Sequence, residues 1–179
     1  MSRFNYLIEK LVNAEFTISP FKHVYIENFF TDDDFDAIIK AVEIDISTSE
    51  NDDLLFRELY AKNYLPISFP GCITDVEYYK SWHKNKDTVK SLNQTSCEGF
   101  GMTVRLMDVT TVVIQELKEF IEGEEFNRAV ANKFDVTFGD CLTDSGIQKY
   151  LDGYEISPHP DIRRKAATFM VNINPSILS

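Results

Sequence analysis

Cysteine is scarce and scattered in this chain. Its three residues, Cys72, Cys97 and Cys141, are odd in number and lie far apart, with no C-x-x-C pair. They read as reduced thiols in a cytosolic-type compartment. Glycine (7) and proline (6) are few among 179 residues, which argues against global disorder. Long apolar runs are missing: no stretch approaches the ~20 residues of a membrane span, and the first residues mix charged with apolar side chains instead of forming a signal peptide. A cytoplasmic location without a membrane partner is the expectation. Positive charge is also short, with 18 Lys and Arg against 29 Asp and Glu and a net charge of −11. A general nucleic-acid binder needs clustered cations to neutralise phosphates, so nucleic acid is not an expected partner. The one basic cluster, Arg163, Arg164 and Lys165, reads as a solvated strand edge. Glycine motifs of the dinucleotide or phosphate-loop type are absent as well.

What is present is an ordinary hydrophobic content of 44% and a large aromatic inventory that includes 14 Phe and 8 Tyr. The length suits one domain with a sizeable core, and the aromatics lean toward sheets. The reading is therefore a single α+β domain over 1–179, with a helix-rich support region at 1–134 and the first strands of a β module at 135–179. Apolar spacing predicts helices over 2–12, 31–44, 54–64, 110–121 and 124–134, with an impure helical pattern over 75–92. Residues 23–30, 99–107, 148–156 and 165–173 read as strands, and 46–53 as a loop. Asp32, Asp33 and Asp34 lack the spacing of a calcium loop and read as a helix start, with Thr31 or an Asp as its cap. Glu122, Glu124 and Glu125 read as a solvated junction between helices.

The chemistry-bearing motif is His159-Pro160-Asp161. An imidazole and a carboxylate two positions apart at a strand end can point to one side of the backbone, because side chains alternate along a strand. Together they can chelate one cation, and a second imidazole would complete a 2-His-1-carboxylate facial triad for Fe(II). H-x-D alone is a common pattern in an acidic chain. Its context is more specific: Gly153 lets the backbone turn, Pro158 stiffens the approach, and an apolar run follows at 166–173. A Cys141 nucleophile paired with His159 has no supporting local signature.

Residues 148–175 resemble the front half of a Fe(II)- and 2-oxoglutarate-dependent oxygenase of the prolyl-hydroxylase-like branch. Residues 20–35 are similar to the opening strand and acidic-capped first helix of such proteins, so the likeness runs from about residue 20 onward. The resemblance implies an incomplete double-stranded β-helix, or jelly-roll, core. It implies Fe(II) as cofactor and 2-oxoglutarate as co-substrate, with His159 and Asp161 as two metal ligands. The activity it implies is hydroxylation of a C–H bond of a small-molecule or protein substrate, coupled to decarboxylation of 2-oxoglutarate to succinate. In the family the distal His and the basic anchor for 2-oxoglutarate come from later strands, and no His follows position 159 here. His23 and His83 lie upstream, match neither role, and read as surface or packing residues. Three explanations stay open: a sequence that stops before the remaining ligands, a short non-catalytic β-containing interaction or structural module, and an accidental H-x-D. The first leaves an open sheet edge through which the chain would self-associate.

Overall fold

The computed structural model describes residues 2–46, 51–85, 99–140, 142–156 and 165–174. In chain order its elements are α1 (Tyr6–Asn13), α2 (Asp32–Ile39), α3 (Asp52–Ala61), β1 (Tyr64–Pro66), α4 (Val76–His83), β2 (Gly99–Phe100), β3 (Thr103–Leu106), α5 (Val112–Glu122), α6 (Glu124–Lys133), β4 (Gln148–Tyr150) and β5 (Glu155–Ile156). The fold is mixed, with helices and two small antiparallel sheets, and among the described residues no barrel closes. The chain forms two compact units, one of Met1–Asp45, Thr110–Ser145 and Arg163–Ser179, the other of Ile46–Val109 and Gly146–Ile162.

The first unit is built from helices. Thr31 Oγ1 accepts the backbone N–H of Asp34 at 3.2 Å, and the three acidic residues of the first turn favour the positive end of α2. A run of aromatic contacts crosses the unit: Phe30 and Phe4 at 6.2 Å, Phe4 and Phe120 at 6.1 Å, Phe120 and Phe126 at 5.1 Å between ring centroids. All four rings are buried, each contributing roughly 1.5–3 kcal/mol through apolar burial. Lys133 of α6 donates to the carbonyls of Val12 and Ala14, satisfying acceptors that the end of α1 leaves open.

Several expectations are corrected here. Residues 23–30 form no strand; a single bridge joins Thr17 to His23, and Asn28 turns the backbone with φ 48°. Among the described residues no strand lies beside the β-branched and aromatic residues there, and Tyr25 stays 76% exposed. The helix expected to reach residue 44 ends at Ile39, after which tight turns bring Glu43 inward. Residues 165–174 carry no strand either: Phe169 instead meets Phe126 edge-on at 5.5 Å.

The second unit surrounds β3, the centre of the sheet β1-β3-β4. Tyr64 pairs with Leu106 and Pro66 with Val104 on one side, while Thr103 pairs with Tyr150 and Arg105 with Gln148 on the other. Pro66 is tolerated because β1 is an outer strand, where a missing N–H costs no ladder bond. The strand expected over 99–107 is two strands in two sheets, because Gly101 adopts φ 95° between them. A Cβ at that position would lie 2.9 Å from Tyr154 Cα. The helix expected from residue 54 starts at Asp52, since Asn51 Oδ1 accepts N–H groups from Asp53 and Leu54 at 2.9 and 3.2 Å. It stops at Ala61, and Asn63 with φ 60° turns the chain into β1. Phe56, Leu59, Tyr64, Tyr79, Met102, Val104 and Leu151 form the core of this unit.

Candidate functional site

His159 and Asp161 lie outside the described residues, as do Cys97, Cys141, Pro158, Arg163 and Arg164. The approach to the H-x-D triplet is described. Strand β4 ends at Tyr150, Gly153 takes φ 78°, and the N–H of Tyr154 donates to Leu151 O at 3.0 Å, closing a tight turn into β5. Strand β5 pairs with β2, Gly99 opposite Ile156. The rings of Tyr150 and Tyr154 stack with centroids 4.5 Å apart, and Phe69 meets Tyr154 edge-on. Gly99 is required at this place, because a Cβ there would sit 2.7 Å from the Tyr154 hydroxyl and 2.9 Å from Glu155 O.

The strongest cluster of functional groups among the described residues centres on His83. Asp75 starts α4 by accepting the N–H of Tyr78 at 2.6 Å, and the helix then directs Tyr79, Trp82 and His83 inward at helical spacing. The ring of His83 stacks on Tyr79, with centroids 5.3 Å apart and planes 18° from parallel. His83 Nδ1 lies 2.9 and 3.0 Å from the two carboxylate oxygens of Asp52, and Nε2 lies 2.9 Å from Asp152 Oδ2. The hydroxyl of Tyr79, which is fully buried, donates to Asp152 O at 2.9 Å. Burial first, and then the negative charges of Asp52 and Asp152, push that phenol well above its ordinary range.

Three chain segments thus meet at one imidazole: the start of α3, the end of α4 and the β4–β5 turn. The carboxylates sit at opposite ring nitrogens, Asp52 at Nδ1 and Asp152 at Nε2. Among the described residues no group of three or more His, Cys, Asp and Glu is placed to hold a metal ion. His83, expected as a surface or packing residue, packs on Tyr79 and also lies within hydrogen-bond distance of two carboxylates. Nothing local in the sequence links it to partners 31 and 69 positions away. His23 is a different case, its Nδ1 lying 2.8 Å from the nearby Phe21 O.

Two buried carboxylates belong to the first unit. Glu43, 3% exposed, accepts Thr110 N–H at 2.6 Å, the Thr110 hydroxyl at 2.8 Å, Thr111 N–H at 2.6 Å and the Thr111 hydroxyl. Burial alone would raise its pKa, but those hydrogen bonds from Thr111 and Thr110 outweigh it and hold the group at about 2. The carboxylate occupies the N-terminal end of α5, where free N–H groups and the helix dipole favour an anion. Asp34 accepts from Arg3 Nε at 2.5 Å and from the Tyr6 hydroxyl at 2.6 Å. Against the upward push of burial, these donors keep it below the usual carboxylate range. The acidic run at 32–34 is therefore a helix start whose last member anchors the N-terminal segment.

Cys72 is partly buried, its Sγ accepting Phe69 N–H at 3.1 Å and donating to Ile67 O at 3.5 Å. No helix among the described residues is long and apolar enough to cross a membrane. Comparison with family models, curated proteins and solved structures finds no match.

Proposed function

We propose that this chain is the N-terminal part of a non-haem Fe(II)- and 2-oxoglutarate-dependent hydroxylase acting in the cytoplasm, with His159 and Asp161 as two of the iron ligands. In this reading β4 and β5 belong to the opening of a double-stranded β-helix, and the helices of the N-terminal region support it. The observation that carries the proposal is the H-x-D triplet in its setting. A turn built on Gly153 leads into a short antiparallel strand, and His159 follows the last residue of that strand, Ile156, by three positions. A short, paired strand is the kind of element that fixes where a metal-binding segment starts.

Iron held by such ligands would supply open coordination positions for 2-oxoglutarate and oxygen. The contribution of this chain's own residues would be to hold the imidazole and carboxylate on one side of the backbone and to fix the approach through the stacked Tyr150 and Tyr154. A second imidazole and a basic anchor for 2-oxoglutarate would complete the site in this reading.

The test is an anaerobic Fe(II) titration of the full-length gene product, followed by 2-oxoglutarate. A weak visible charge-transfer band is expected, and His159→Ala should abolish it. Absence of the band in the full-length protein removes the hydroxylase reading.

A further inference from the structure

We propose that His83 is a protonation-dependent clasp that fastens the β4–β5 turn to helices α3 and α4. A neutral imidazole carries one N–H and can donate to one carboxylate only, whereas the imidazolium carries two. With Asp52 at Nδ1 and Asp152 at Nε2, both within 3.0 Å, only the cation donates to both. In the neutral form one ring lone pair faces a carboxylate oxygen at hydrogen-bond distance, a repulsive contact.

Among the described residues, the charged and titratable groups around the ring come from each packed element. Helix α3 presents Asp52, while its neighbour Asp53 is engaged by Lys80 at 2.6 Å. Helix α4 presents the Tyr79 hydroxyl, which is turned to Asp152 O, and Lys80, which is held by Asp53 and Glu77. The β4–β5 turn presents Asp152. The two acceptors differ in exposure, the Asp52 side chain at 9% and that of Asp152 at 66%. Water can replace the bond to Asp152 but has little access to Asp52, so the proton that stays is the one facing Asp52. The clasp is complete while His83 is cationic and opens on the Asp152 side as pH rises through the imidazole titration. The Tyr79 bond to the backbone of Asp152 persists, so the turn loosens without detaching.

This device lies just upstream of the H-x-D triplet and stands whether or not His159 and Asp161 bind iron. The experiment is a nitrogen-15 NMR titration of the histidine rings in the full chain between about pH 5 and about pH 9, combined with amide exchange. Expected are a doubly protonated His83 ring at the acid end and an approximately fivefold fall in the protection factor of the Tyr154 amide once the ring loses its proton. Asp152→Asn, a change at an exposed side chain, should lower the pH at which His83 deprotonates and remove the pH dependence of that protection. A singly protonated ring throughout, a protection factor equal on both sides of the titration, or an Asp152→Asn protein titrating as the parent does would each overturn the proposal.

Discussion

Glu43 stays ionised inside the protein because four donors from two adjacent threonines replace the water it loses. Its pKa, about 2 in the folded chain against 4.5 when unperturbed, sets the sign of a pH effect. A depressed carboxylate contributes its stabilisation in full above the unfolded value and loses it as pH falls through the folded one. The contribution at neutral pH is roughly 3 kcal/mol. Glu43→Gln should lower the unfolding free energy by roughly 2–3 kcal/mol at neutral pH. Urea titrations repeated at successively lower pH should show the gap between parent and variant closing as pH drops from the ordinary carboxylate range toward about 2. Thr103 presents the reverse situation. It is fully buried on β3 and, among the described residues, its hydroxyl has no hydrogen-bond partner. Thr103→Val keeps the β-branched shape and removes the stranded hydroxyl, so it should stabilise the protein by about 1 kcal/mol in urea unfolding.

Helices depend on local spacing and caps, and so most were legible: α5 and α6 stand within a residue or two of their expected bounds, and Thr31 caps α2 as its position suggests. Strands depend on partners that sequence does not name. Residues 23–30 have strand composition but, among the described residues, only the bridge from His23 to Thr17, while Tyr64–Pro66, expected in part as helix, pairs with β3. The His83 cluster is illegible for the same reason, since by sequence Asp52 belongs to a loop and Asp152 to a strand. At this scale the caps and turns are testable. Asn51→Ala should cost about 1 kcal/mol by freeing the first N–H groups of α3, read as a shift in the denaturant midpoint. Gly101→Ala should cost at least about 2 kcal/mol, because φ 95° strains any L side chain and the new Cβ would press on Tyr154 Cα. The same measurement checks it, and an unshifted midpoint would mean that β2 and β3 run on as one strand.

Neither compact unit is a continuous stretch of chain. The backbone leaves the first unit at residue 45, returns at 110, leaves again at 146 and comes back at 163. A chain ended at Ser145 should therefore lose more than its tail: β3 would keep β1 but lose β4, and β2 would lose β5. Hydrogen exchange is expected to show the Leu106 amide, which donates to Ile147 O, unprotected in that shortened chain while α5 amides remain protected. The central position of β3 also has a consequence in time. During synthesis Leu106 is made 42 residues before Gln148 (148 − 106 = 42). At ~5–20 residues per second that is a wait of roughly 2–8 s. For that interval the nascent chain carries an unfilled strand edge beside the apolar side chains of Met102 and Val104, which makes β3 the segment a ribosome-associated chaperone would be expected to shield.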